Sequence, residues 1–232
     1  MTVRPLSTAL KCFDLIDVLA EASHADRLAD IARKTGESRA TTYQRLLTLC
    51  EAGWVERLPQ DTYRLSLKAC RIGYAALGQA GLGDRALPVL EKLTAETGET
   101  SSLVVLEAGK LVIAQRVESR GILRADLRIG AELSVQDSAS GKIWLAFGSE
   151  AATAGLEGSL PENMLTKIRQ GGFALGGGGS TLPGIGVVAV PVFDGGQNCV
   201  ASLSLVGPET RFDTKRLIEP LKQAANDLRD SL

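Results

Sequence analysis

Apolar side chains return every three to four positions through the first fifty residues. Leu6, Ala9, Leu10, Phe13, Ile16 and Leu19 outline one helix over about 7–22. Leu28, Ile31 and Ala32 outline a second, with Asp26 as its expected cap and Gly36 as its stop, glycine being the residue that takes a left-handed C-terminal position without strain. Ser38 then offers its hydroxyl to the open backbone N–H groups of a third helix, expected over about 39–52. With successive residues about 100° apart, Thr42, Leu46, Leu49 and Cys50 share one face of it, and Thr41, Gln44, Arg45 and Thr48 share the other.

After the third helix the period changes. Gly53-Trp-Val-Glu-Arg57 and Tyr63-Arg-Leu65 are β-prone runs joined by Leu58-Pro-Gln-Asp-Thr62, in which Pro59 and Asp61 signal a turn. Helical spacing resumes over 67–80 and 84–97, with a domain boundary expected near residue 80. Strands are expected over 100–106 and 111–117 around the turn Glu107-Ala-Gly-Lys110, and a third over 122–129. Helices follow over 138–147 and 161–170. A strand pair over 185–193 and 200–206 turns through Asp194-Gly-Gly-Gln197, and a last helix runs over 214–232. This order predicts an α+β module, one antiparallel sheet covered by helices.

The outward face of the third helix carries hydroxyl, amide and guanidinium groups and no carboxylate. A face that is merely wet mixes both signs, whereas one entering the major groove needs hydrogen-bonding groups and avoids anions near phosphate. An ordinary helical bundle would give the same helix spacing, so the hairpin that follows matters: helix, turn, helix, hairpin is the winged form. The chain is net −1 overall. Between Arg33 and Arg71, eight cations (33, 34, 39, 45, 57, 64, 68, 71) stand against four carboxylates (37, 51, 56, 61), which puts positive charge where phosphates would lie.

Composition narrows the alternatives. With 232 residues, 44% hydrophobic and 23% charged, the chain can build two domains with proper cores. The N-terminus lacks the apolar stretch of a secretory signal, and no run of about eighteen apolar residues is available to span a bilayer, so a cytoplasmic location without a membrane partner is expected. Cys12, Cys50, Cys70 and Cys199 have neither zinc nor disulfide-framework spacing and are expected as small core residues. The single histidine, His24, lies in the first module, which leaves the second without imidazole for a catalytic triad or a usual zinc site. No catalytic residue, metal or cofactor is expected. Ser140-Gly-Lys-Ile143 is only superficially a phosphate loop, since Gln136 and Ile143 stand where a glycine and a hydroxyl belong. It is either a plain helix start or a set of open N–H groups that receive a ligand carboxylate. The glycine run 176–179 reads as a surface loop, and Arg124 and Arg128 as a solvated pair.

Taken in order, the fragments resemble the IclR-type transcriptional regulators: Ile31-Ala-Arg-Lys-Thr-Gly36 before the turn, Arg45-Leu-Leu-Thr-Leu49, Gly53-Trp-Val55, Tyr63-Arg-Leu65, Glu96-Thr-Gly-Glu-Thr100, Arg128-Ile-Gly130, Ala139-Ser-Gly-Lys142, Ala189-Val-Pro-Val-Phe193 and Ser202-Leu-Ser-Leu-Val-Gly207. The resemblance covers nearly the whole chain. It implies an N-terminal all-α winged helix-turn-helix over 1–66, a linker helix over 67–84, and over 85–232 a C-terminal α+β GAF-like effector-binding domain with an antiparallel sheet. It further implies dimers or tetramers on palindromic double-stranded operator DNA and a small organic effector, a carboxylic acid or aromatic catabolite.

The DNA-facing set expected on this basis is Ser38, Arg39, Thr41, Gln44, Arg45, Thr48, Arg57 and Arg64. Carried over by position, the effector-binding set is Leu123, Leu133, Ala139, Ser140, Gly141, Val187 and Ser204. The chain departs from the family where Gly176–Gly179 replaces an acidic segment, and where Val187 and Val206 stand at sites that can be Cys and Ser, so an apolar effector, or none, is compatible with it. The leading expectation is a sequence-specific regulator, a repressor, whose operator binding a small effector modulates. The rival is a small-molecule sensor or enzyme whose N-terminal module makes protein contacts.

Overall fold

Three helices and a hairpin close around the first core. Leu15 and Leu19 of α1 (Ser7–Ala20) meet Ile31 of α2 (Leu28–Thr35) and Leu46 and Leu49 of α3 (Arg39–Glu51). Val55 and Tyr63, from the wing strands, complete the cluster. Each fully buried Leu or Ile here contributes about 1.5–3 kcal/mol by leaving water. Gly36 takes the left-handed position at φ 67° that ends α2, and the Ser38 hydroxyl accepts the Thr41 N–H at 3.1 Å to open α3. Both signals were legible in the sequence.

Asp26 behaves otherwise than expected. It does not cap α2; with Arg27 it forms a two-residue strand, β1 (Asp26–Arg27), paired with Tyr63 and Thr62, and its carboxylate takes the Lys34 ammonium at 2.6 Å. The wing itself is β2 (Val55–Leu58) against β3 (Thr62–Leu65), turned by Pro59–Asp61 with Gln60 at φ 65° and Asp61 at φ 55°. The helix α4 (Lys68–Gln79) follows. The structure, a computed structural model, describes residues 4–79, 83–119, 127–177 and 184–229. The chain divides into two compact units, residues 1–76 and 77–232.

The second unit starts with α5 (Gly83–Thr97), then β4 (Thr100–Glu107), β5 (Lys110–Val117), β6 (Glu132–Leu133), α6 (Ala139–Phe147), α7 (Glu150–Thr153), α8 (Glu162–Gly171), β7 (Ala174–Gly177), β8 (Ile185–Phe193), β9 (Cys199–Pro208) and α9 (Thr214–Arg229). Its sheet is antiparallel throughout, in the order β6-β5-β4-β9-β8-β7. The side-chain period of two splits the central strand: Ala201, Leu203 and Leu205 pack with Leu90, Leu93, Leu217 and Leu221 of α5 and α9, while Ser202, Ser204 and Val206 face the opposite side. On that second side α6 lays Ala139 and Ile143 against Ala189, and Trp144 against Val104 and Ile113.

Two expected segments differ. Of the strand expected over 122–129, residues 122–126 lie outside the described residues, and Leu127, Arg128 and Ile129 are not strand; the edge is the shorter Glu132–Leu133. The glycine run expected as a loop begins as an edge strand instead, Gly176 pairing with Val187 and Gly177 with Gly186. Glycine is required there because a Cβ on Gly176 would lie 2.8 Å from the Ala139 nitrogen. The same crowding governs Gly141, whose Cβ would run into the Val135 carbonyl oxygen. Among the described residues no helix is long and apolar enough to cross a membrane.

The cysteines separate by environment. Cys199 is buried, and desolvation pushes its thiol up to about 12; Cys12 and Cys50 are half-buried against the first core; Cys70 is exposed, contrary to its expected core position. Two outcomes follow. Gly141→Ala is expected to destabilise the second unit by about 1–3 kcal/mol or more through overpacking, read as a lowered thermal midpoint of the full chain. A maleimide at pH 8 is expected to modify Cys70 within minutes and Cys199 only after denaturant is added, as peptide mass spectrometry would show.

Candidate functional site

The exposed side of α3 presents Arg39, Thr41, Gln44 and Thr48, with Ser38 at its start, all open to solvent. Ser38 and Thr41 share a hydroxyl contact of 2.8 Å, so both hydroxyls sit at the helix N-terminus, where backbone N–H groups point outward. Beside the helix, the wing carries Arg57 and Arg64. Each is exposed and holds a carboxylate of the wing, Arg57 to Asp61 in its turn at 2.5 Å and Arg64 to Glu56 on the facing strand at 2.9 Å. Arg57 also lies over the Tyr43 ring at 5.9 Å. Exposed pairs of this kind are worth at most about 1 kcal/mol, so a phosphate can displace the carboxylate at little cost.

Arg45 does not lie on the open side of the helix. Its side chain is 13% exposed and its guanidinium is paired with Glu37, a carboxylate equally covered, which also takes the Lys11 ammonium at 2.8 Å. The physical reason is its place on the helix. Arg45 stands about 40° from Leu49 and about 40° from Thr41, on the border between the two faces, and Glu37 in the preceding turn draws it inward. Local positive charge is also smaller than counted from sequence. Arg33 holds Asp30, Lys34 holds Asp26, Arg45 holds Glu37, Arg57 holds Asp61 and Arg64 holds Glu56. Lys68 lies over the Trp54 ring at 5.0 Å and donates to the Ala52 carbonyl, tying the start of α4 to the end of α3.

In the second unit, Leu123 lies outside the described residues. Ala139, Ser140 and Gly141 are buried at the start of α6, and Ala139 shares a cluster with the half-buried Val187 of β8. Ser204 of β9 is buried beside them, opposite Ala189, its hydroxyl donating to the Ser102 carbonyl at 3.5 Å. Leu133 is not brought to this group. It packs around Trp144 on β6, and with strands about 4.8 Å apart, three strand spacings separate it from β9. The helix start is also less open than a carboxylate-receiving reading requires: Ser138 caps the Gly141 N–H at 2.9 Å, and Gly176 backs onto Ala139.

Two groups went unrecognised in the sequence. Arg116 of β5 donates to the Ser102 hydroxyl at 3.2 Å; burial pushes this guanidinium down from the usual arginine range, while the Glu118 carboxylate pulls it up. Glu99, buried at the head of β4, is held by Arg211 at 3.0 Å. Both contacts join residues from different elements; Glu99 lies in the Glu96-Thr-Gly-Glu-Thr100 run, which gave no sign of its partner.

Comparison with known proteins identifies both domains. Residues 8–59 match the IclR helix-turn-helix domain, and residues 74–230 match the bacterial transcriptional regulator IclR C-terminal domain. The regulator BhcR of Paracoccus denitrificans is 30% identical, over 93% of this chain and 81% of its own. The Thermotoga maritima IclR structure superposes with a TM-score of 0.74 at 26% identity, covering 97% of this chain and 98% of that one. An IclR homologue from Microbacterium hydrocarbonoxydans, complexed with 4-hydroxybenzoate, has the same fold with a TM-score of 0.81 at 22% identity, covering 97% and 99%. A winged helix-turn-helix and an α+β domain with an antiparallel sheet, matched over almost the whole length, make this chain a member of the IclR family of DNA-binding transcriptional regulators.

Proposed function

We propose that the chain represses transcription by seating α3 in the major groove of a double-stranded operator, and that a small organic acid taken up by the second unit alters that binding. The observation that carries the first half is the open row Arg39, Thr41, Gln44 and Thr48, flanked by the exposed wing arginines 57 and 64. Thr41, Gln44 and Thr48 would meet base edges, and Arg39, Arg57 and Arg64 would meet phosphates, with Ser38 at the helix N-terminus. Arg45 is assigned to holding the helix rather than reading DNA. The ligand half is supported by the fold neighbour complexed with 4-hydroxybenzoate. Regulation rather than catalysis, in the cytoplasm where operators lie, is consistent with a lone histidine placed in the DNA-binding unit.

Self-association belongs to the same proposal. Leu6, Leu10 and Phe13 form an exposed stripe along α1, and from Cys70 to Gln79 every residue of α4 whose burial is described is exposed, Ile72 among them. Two copies joined through such faces would present two reading helices to a palindrome.

Gln44→Ala is expected to weaken operator binding by about 1–3 kcal/mol without changing the unfolding midpoint, and Arg39→Ala to lower the salt slope of binding by about one, both by fluorescence anisotropy. Unchanged affinity in Gln44→Ala would remove the groove assignment. Arg45→Ala is expected to cost about 2 kcal/mol in urea unfolding, because it leaves Glu37 covered with one cation fewer. Phe13→Glu is expected to shift sedimentation towards monomer; a wild-type chain that already sediments as a monomer would refute the assembly.

A further inference from the structure

Glu37 is an anion in a place where a DNA-binding unit gains by avoiding one. It lies in the turn between α2 and α3, one residue before Ser38, and is the sole carboxylate in the sequence between Asp30 and Glu51. Its backbone is fixed. The Gly36 N–H donates to the Arg33 carbonyl at 3.3 Å and the Glu37 N–H to the Ala32 carbonyl at 3.1 Å, the paired bonds that close a helix through a left-handed glycine. The residue after such a glycine commonly packs an apolar side chain back on the helix. Here that position holds a carboxylate, 13% exposed, set between the Lys11 ammonium of α1 at 2.8 Å and the Arg45 guanidinium of α3.

Burial separates this pair from its neighbours. Arg33, Lys34, Arg57 and Arg64 hold their carboxylates with side chains at least 39% exposed, so a phosphate can replace those partners at little cost. Arg45 is 13% exposed, and breaking a covered pair leaves each charge with little water to receive it. Its place on the helix makes that restraint consequential. Arg45 stands about 40° around α3 from Thr41, so a released guanidinium would lie beside the open row. A phosphate contact made from there is available on any sequence, because the sugar-phosphate rim carries the same charge everywhere.

We infer that Glu37 sets how well the chain tells its operator from other DNA, by withholding Arg45 from the phosphates. This rests on the seating of α3 proposed above and adds a specificity determinant that itself touches no base. Other duplexes lose a cation that they would use in any register. The operator complex loses less, since Thr41, Gln44 and Thr48 supply contacts that depend on α3 being held, and Glu37 ties α3 to α1 through Arg45 and Lys11. Glu37 is thus a positioning residue that acts through Arg45.

The test uses the full chain, with the unfolding midpoint of each variant measured first. The probes are poly(dI-dC) and the duplex that the wild-type chain enriches from a randomised library. Glu37→Gln is expected to bind poly(dI-dC) several-fold more tightly, with the slope of log affinity against log salt steeper by about one, the mark of one further phosphate contact. Its preference for the selected duplex is expected to fall several-fold. Glu37→Gln combined with Arg45→Gln is expected to return to the wild-type slope. A carboxylate that served stability alone would lower the unfolding midpoint and weaken both probes alike, and that result overturns the inference. A wild-type slope in Glu37→Gln overturns it as well, and so does a steeper slope that persists in the double variant. Should Glu37→Gln fail to fold, Arg45→Gln alone decides: an unchanged slope on poly(dI-dC) supports the withheld cation, and a slope shallower by about one places Arg45 on a phosphate already and overturns it. Binding to poly(dI-dC) is read without base recognition, so these outcomes stay separate from failure of the groove assignment, which Gln44→Ala reports on the selected duplex.

Discussion

The alternation along β9 is the constraint on which the second unit depends. This strand lies between β4 and β8, which pair both its edges, while α5 and α9 cover one of its faces and α6 packs on the other. Its leucines join the cluster under α5 and α9, and its serines go to the side of α6. A slip of one residue would drive Ser202 and Ser204 into a fully apolar layer and put Leu203 and Leu205 where hydroxyls line the floor, so the register is strongly specified. From it follow the rung that aligns Ser102, Ser204 and Ala189 and the floor of small residues on which Ala139 rests.

In the first unit a comparable part is played by one carboxylate. Glu37 leaves the tight turn between α2 and α3 and is shared by Lys11 of α1 and Arg45 of α3. It joins by charge the helices that Leu15, Ile31 and Leu46 already join by burial. Its effect on the outer surface is as important: by drawing Arg45 inward it leaves Thr41, Gln44 and Thr48 as the open row, a surface of uncharged hydrogen-bonding groups flanked by cations. On the proposed operator, such a surface would favour readout of base edges over simple attraction to phosphate. The wing arginines keep their own carboxylates at the surface, where exchange for phosphate costs little.

Much of this was legible along the chain because it is set by neighbours in sequence. Gly36 and Ser38 delimit the turn by backbone conformation and by a cap three residues long in reach. The strand pair around Asp194-Gly-Gly-Gln197 follows from its turn, with Gln197 at φ 63°. The fragments that resemble the IclR regulators fall within the two stretches, 8–59 and 74–230, that the family's domains match, or in the wing that follows the first. The less legible parts depend on remote partners. Asp26 is a good cap by composition, yet the wing strand β3 lies close enough to pair with its backbone. Gly176 looks like a linker until Ala139 is found against it.

Sequence by itself determined the order of elements, the amphipathic faces and the family, because periodicity, capping and turn chemistry act within a few residues. Tertiary structure alone decided which of two possible faces a borderline residue joins and which distant side chains become one group. Arg45 turns inward because Glu37 is there to receive it, and Arg116 reaches the Ser102 hydroxyl because β5 pairs with β4 in that register. Charge and hydroxyl groups carry no period of their own, so their grouping is settled only where the backbone brings them together.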